Sequence, residues 1–254
     1  ADAGPDRAVC ANDGTVSLNG SVVNATGGTW TSSGTGTFLP SADSLNTTYS
    51  PSAGDTLAGM VGLVLTTTGN GFSCGSNSDT LIITVPVSPY AFAGNDQTVC
   101  ANNAPVSLSG FVVVALGGTW TTNGTGTFSP DEDTLNATYI PSNNDTAVGS
   151  VTLTLTTTGN GTCNADSDVM VVTISDAPVA NAGTDQAVCA NNASVAMNGV
   201  VTVATGGVWS TNGSGTFTPD INTLNATYYP SNNDTAAGTV ILILITTGNG
   251  TCNA

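Results

Sequence analysis

Cys10, Cys100 and Cys189 each open a Cys-Ala-Asn segment, at intervals of 90 and 89 residues. Trp30, Trp120 and Trp209 recur at the same intervals, as do Tyr49, Tyr139 and Tyr228. Agreement among markers so far apart makes the 254-residue chain three copies of one unit, whatever its length alone would suggest about domain number. The units run over residues 1–89, 90–178 and 179–254, the third without the final strand the others carry.

Each unit consists of short strand-like runs broken by turn signals. In the second, Pro105 to Leu108 is followed by Gly117-Gly118-Thr119-Trp120, the turn Asn123-Gly124 and the run Leu135 to Ile140. Val151-Thr152-Leu153-Thr154-Leu155-Thr156 then alternates strictly between apolar and hydroxyl residues, which describes a strand with one face in a core and one in water. A closing strand is predicted from Val169 to Ile174. No helical period of useful length occurs, so the expected fold class is all-β, a tandem of immunoglobulin-like β-sandwich repeats. Proline-bearing joints, Val85-Pro86-Val87-Ser88-Pro89 and Asp176-Ala177-Pro178, restrict bending and favour an extended rod. The tryptophans are expected in the core, exposed sugar-stacking platforms being the functional alternative.

The charge balance excludes several partners. Seventeen acidic residues stand against one basic residue, with no histidine, for a net charge of −16. Such a surface cannot neutralise nucleic-acid phosphates or dock on anionic lipid. No run of 18 apolar residues exists, so the chain is not membrane-spanning, and without an apolar leader at its start it reads as a mature or internal fragment. A serine or cysteine nucleophile would lack its usual base, and lysine chemistry is absent, so no catalytic residue is assigned and the chain is read as no enzyme.

Six cysteines fall two to a unit, 63 or 64 residues apart. This even count points to an oxidising compartment and to three disulfides within units: Cys10–Cys74, Cys100–Cys163 and Cys189–Cys252. No cofactor is required. Calcium is the one to weigh, with candidate ligands Asp131, Asp133, Asp166 and Asp168 in loops and Asp96 and Asp185 just beyond the joints; solvated turn acids are the alternative. In the third unit the outward threonines Thr152, Thr154 and Thr156 become Ile241, Ile243 and Ile245, an apolar stripe expected to meet a neighbouring domain or filament strand. The third unit's open sheet edge invites either a continuing chain or a strand donated by a neighbour.

The segments Ala-Gly-x-Asp-Gln-x-Val-Cys-Ala-Asn-Asn (Ala93 to Asn103, Ala182 to Asn192), Gly-Gly-x-Trp, Gly-x-Gly-Thr-Phe, Leu-Asn-Ala-Thr-Tyr and Thr-Gly-Asn-Gly-Thr-Cys-Asn-Ala resemble repeats of giant Bacteroidota cell-surface proteins. These include the gliding-motility adhesins exported by the type nine secretion system, and the resemblance spans essentially the whole chain. It implies a PKD-like or Ig-like fold, an extracellular location on a bacterial cell surface, and a structural role as the shaft of a filament or adhesin. Its partners would be further repeats or neighbouring filament subunits, with surface polysaccharide as a ligand in the alternative, where the units act as carbohydrate-binding or accessory modules. It also implies O-glycosylation within Asp-Ser/Thr-apolar triplets, here at Ser44, Thr56, Thr80, Thr134, Thr146 and Thr235, with Thr146 and Thr235 the favoured loop sites.

Overall fold

Two sheets facing one another across an apolar layer make up each complete unit. The computed structural model describes residues 1–71 and 74–254. In the second unit the larger sheet runs Gly117–Thr122, Ser150–Thr158, Ser167–Ser175, Gln97–Cys100. Its first three strands are antiparallel and the last is parallel to its neighbour. The facing sheet pairs Val106–Ser107, Thr138–Ile140 and Thr127–Ser129, and a two-stranded ribbon joins Tyr90–Phe92 to Phe111–Val113. The first unit repeats both sheets, with Gly27–Ser32, Met60–Thr68, Ser78–Thr84 and Arg7–Ala8 in the larger.

The alternating run is why the strand Ser150–Thr158 sits where it does. Val151, Leu153 and Leu155 are buried while the threonines between them stay half-exposed, as the period of two requires. Full burial of each leucine contributes about 1.5–3 kcal/mol. They meet Trp120, Tyr139, Met170 and Val172 in one cluster. The indole of Trp120 is 1% exposed and donates to the Leu135 carbonyl at 3.2 Å. Trp30 and Trp209 are buried with the same bond to Leu45 and Leu224, so all three are core residues rather than sugar platforms.

Three short helices, Ala53–Ala58, Asn143–Val148 and Asn232–Ala237, depart from the helix-free expectation. At six residues they are too short to show a 3.6-residue apolar period and too short to persist alone. Their ends hold them: Ser142 and Asp145 form a reciprocal capping box, and Gly149 closes the helix at φ 82°.

The third unit keeps the facing sheet, Val195–Ala196, Thr227–Tyr229 and Thr216–Thr218, and the pair Gly206–Thr211 with Leu242–Thr247. Among the described residues nothing stands beside Leu242–Thr247 in the place that Ser167–Ser175 takes in the second unit. A cleft of about 660 Å³ opens there, against Met197, Trp209 and Leu242.

Candidate functional site

The disulfides do not close within units. Cys10 is bonded to Cys163 and Cys100 to Cys252, with Cα atoms 4.9 and 5.1 Å apart, while Cys74 and Cys189 are exposed thiols. The expected pairs Cys10–Cys74, Cys100–Cys163 and Cys189–Cys252 are therefore corrected: the first cysteine of one unit is bonded to the second cysteine of the next.

Strand length explains the correction. Arg7–Ala8 runs parallel to the end of Ser78–Thr84, and the Ala11 amide donates to the Pro86 carbonyl, so Cys10 lies beside the end of that strand. Cys74 precedes its start at Ser78. Six steps at about 3.3 Å put some 20 Å between the two ends, whereas a disulfide tolerates only about 4.4–6.8 Å between Cα atoms. The second cysteine sits instead at the end of its unit that faces the preceding one.

Polar contacts accompany both staples. The Asn12 amide donates to the Asn164 carbonyl at 3.3 Å, and Asn164 donates in turn to the Asp13 carboxylate. One unit on, Asn102 donates to the Asn253 carbonyl at 3.1 Å and accepts from the Asn253 amide at 3.3 Å. The same interface thus occurs twice. Each staple spans 152 or 153 residues of chain, for which unfolded-state loop entropy alone corresponds to about 5 kcal/mol.

A second recurring cluster went unread in the sequence, although Ser-x-x-Asp after Tyr-x-Pro is a capping-box signature that would have located it. Asp145 is 2% exposed at the start of its helix. Its carboxylate accepts from the Thr125 amide at 2.9 Å, the Ser142 amide at 2.9 Å and the Tyr139 hydroxyl at 2.8 Å. The Tyr139 oxygen in turn accepts from the Gly126 amide. Asp55 with Tyr49 and Asp234 with Tyr228 repeat the arrangement. Each cluster ties the turn before one short strand, the short helix and the facing sheet together around one buried charge.

Burial pushes the Asp145 carboxyl up, but the donors from Ser142, Thr125 and Tyr139 outweigh it and hold it below the usual carboxylate range. Asp55 is held low in the same way. For Asp234 the Ser214 and Ser231 amides lead and lower it furthest. Burial raises the tyrosine partners Tyr49, Tyr139 and Tyr228. A depressed folded-state value means stability that is complete above the unfolded carboxylate value, about 3.9, and lost as pH falls through the lower folded one. With no histidine in the chain, the melting temperature is expected to stay nearly flat from pH 5 to 8 and to drop steeply below pH 4. Circular-dichroism melts across pH 2–8 check this, and a midpoint loss centred between pH 5 and 7 would contradict it.

The other sequence-derived positions scatter. Asp96 accepts from the Val171 amide at 2.8 Å, and Asp166 and Asp168 accept from the Ala91 and Ala93 amides at 2.9 Å, so these acids clasp backbone. Asp131 accepts from Asp133 and Thr134, and Asp133 accepts from the Thr119 hydroxyl at 2.5 Å. Asp185 is exposed. Among the described residues no three His, Cys, Asp or Glu side chains group closely enough to hold a metal ion, and no helix is long and apolar enough to cross a membrane. Of the six glycan candidates, Thr80 is exposed, on a strand. Ser44, Thr56, Thr134, Thr146 and Thr235 are half-buried, and each hydroxyl donates within its own turn or helix. Ile241, Ile243 and Ile245 are exposed on the outer face, with Val208 paired across from Ile245.

No protein-family profile and no curated protein matches the chain. Among solved structures it is similar to cadherin domains 1–4 of protocadherin gamma B7, at 12% identity over 96% of this chain and 74% of that one, TM-score 0.39. It is similar to a three-immunoglobulin-domain segment of titin, at 10% identity over 91% of this chain and 87% of that one, TM-score 0.43. A three-domain segment of mouse cadherin-23 is similar at 12% identity over 89% and 84%, TM-score 0.38.

Proposed function

We propose that this chain is a segment of an extracellular structural shaft, non-catalytic, in which each sandwich unit is a rigid spacer covalently locked to the next. The observation that carries the reading is the pair of staples Cys10–Cys163 and Cys100–Cys252, which bridge units rather than closing loops inside them. A binding module has no need of such bonds; a load-bearing series does. Disulfides support an oxidising, extracellular setting, and the repeat motifs resemble those of bacterial surface adhesins exported by type nine secretion. Further units or neighbouring filament subunits are its partners in this reading. Stiffness in this reading comes from the staples and from the acid-to-backbone clasps of Asp96, Asp166 and Asp168.

Cleavage of the oxidised chain at its aspartates, followed by mass spectrometry without reduction, tests the carrying observation. Linked peptides Cys10–Cys163 and Cys100–Cys252 are expected, and a Cys10–Cys74 peptide would overturn the reading. The same digest from the native source reports glycan mass, expected first on the exposed Thr80.

One observation favours a second reading, polysaccharide binding. Among the described residues, Tyr90, Phe92 and Phe111 of the second unit form an aromatic row with ring centroids 6.2 and 5.1 Å apart, and Tyr90 and Phe111 are about half-exposed. The first unit has Asp2 and Ser21 where the second has Phe92 and Phe111, and the third has Asn181 and Val200. Under this reading Tyr90→Ala with Phe111→Ala abolishes retention on a polysaccharide affinity gel; under the shaft reading there is no retention to lose.

A further inference from the structure

Nine of the fourteen aromatic residues are three recurring triplets, begun by Trp30, Phe38 and Tyr49. All nine lie in or against the three cores, so the fold accounts for them. Of the five that do not recur, three are Tyr90, Phe92 and Phe111, gathered on one two-stranded ribbon of the second unit. Ala91 and Ala93 are buried beneath that ribbon, and the period of two therefore turns Tyr90 and Phe92 outward. Phe111 stands directly across from Phe92, and Val113 across from Tyr90, so all four side chains share the outer face.

The fold does not need this row. The first unit makes the same pairing between Asp2 and Ser21, and the third between Asn181 and Val200. One backbone thus carries polar or aliphatic side chains in two units and aromatic ones in the second. Exposed rings add little to a core, and their gathering on one outer face marks a contact with something outside the chain. The ring planes are tilted by 51° between Tyr90 and Phe111 and by 38° between Phe92 and Phe111. A flat crystalline surface cannot lie against all three, whereas a narrow chain that turns from one residue to the next can. Three rings at least half covered already leave about 300 Å² to a partner, against roughly 800 Å² on each side of an ordinary protein–protein interface. Charge narrows the ligand further. Asp166 and Asp168 border the ribbon through the Ala91 and Ala93 amides, and the chain's single basic side chain, Arg7, belongs to the first unit. An anionic ligand would meet like charge with nothing beside it to offset the repulsion.

We propose that the second unit binds a single extended chain of a neutral polysaccharide, its sugar rings stacked on Tyr90, Phe111 and Phe92. One face of such a sugar ring is lined by C–H groups and rimmed by hydroxyls, which suits an aromatic face with water at its edge. The shaft then carries a sugar-binding position on one unit, between units whose ribbons present no ring at the matching positions. This assignment rests on the polysaccharide reading of the row and adds the class of polysaccharide; the staples do not depend on it.

The test runs the full oxidised chain by native electrophoresis through gels that each contain one polymer: hydroxyethylcellulose or galactomannan as neutral soluble chains, polygalacturonate as an acidic one. Sedimentation with microcrystalline cellulose samples a flat surface. Retardation by at least one neutral soluble polymer is expected. Phe92→Asp with Phe111→Ser, the side chains that the first unit carries on the same backbone, is expected to weaken it at least tenfold while leaving the melting temperature unchanged. Tyr90→Val with Phe111→Val, the side chains of the third unit, is expected to do the same. Leu57→Ala, at an exposed apolar residue of the first unit, should bind as the parent does. Preference for polygalacturonate or for microcrystalline cellulose would overturn the ligand class and leave polysaccharide binding standing. Binding to none of the four, or neutral binding that survives both double variants, would overturn the polysaccharide reading of the row as well. A parent dimer in analytical ultracentrifugation that both double variants dissolve would make the row a contact between copies and overturn the proposal.

Discussion

Pulled from its two ends, the oxidised chain is expected to extend to about 270 Å and the reduced chain to about 890 Å, at about 3.5 Å per residue. Fully reduced, all 253 steps of the backbone carry the load. With both staples closed, the taut path is the shortest route through the cross-linked network. It follows the chain from Ala1 to Cys10, crosses to Cys163, returns to Cys100, crosses to Cys252 and ends at Ala254. Only 74 residue steps and two bridges lie on that path. Disulfides closing inside each unit would instead leave the joints in the path and remove the 63- or 64-residue loops. That arrangement leaves 63 steps and three bridges, a similar total reached differently. The discriminating variant is Cys10→Ser, which frees everything before Cys100 in the observed topology. With only Cys100–Cys252 closed the path lengthens to 101 steps, about 350 Å, whereas intra-unit pairing with one loop freed predicts 127 steps, about 440 Å. Single-molecule force spectroscopy resolves a difference of this size, and an extension near 440 Å for Cys10→Ser would refute the inter-unit topology.

Asp145→Ala is expected to destabilise the second unit by about 3 kcal/mol, near the upper end for a single substitution. Two backbone amides and the Tyr139 hydroxyl lose their acceptor in a buried setting, and the helix Asn143–Val148 loses half of its capping box. Unsatisfied buried donors cost about 1–3 kcal/mol together with the lost cap. Asp145→Asn keeps the shape and one acceptor oxygen but loses the charge, and should fall between the two. Asp131→Ala, at an exposed turn, should stay within about 0.5 kcal/mol of the parent. Urea melts read through exchange of the Leu153 amide report on this unit separately from its neighbours. A cost for Asp145→Ala no larger than that for Asp131→Ala would show the cluster to be dispensable.

Much of the architecture was legible in the residues. The recurrence of Cys10, Trp30 and Tyr49 at 90- and 89-residue intervals determined the number of units, because a repeated sequence in a repeated environment folds alike. The alternation from Val151 to Thr156 determined a half-buried strand, because successive side chains of a strand point to opposite faces. Burial of the three tryptophans followed from the same pattern. The buried Asp145 was present as a capping signature, but its burial depended on a facing sheet that local sequence does not display.

The cysteine partners were decided by tertiary structure alone. Spacings of 63 and of 152 or 153 residues are equally regular in a chain whose units repeat, so no count can choose between them. What chooses is the parallel pairing of Gln97–Cys100 with Ser167–Ser175, which carries the first cysteine to the end of the unit opposite its second. Stacking the units then brings each first cysteine against the next unit's second. Local sequence determined what each unit is, through side-chain periodicity; contacts between distant segments determined how the units are joined, because a disulfide requires two Cα atoms within a few ångströms and only the assembled fold sets that distance.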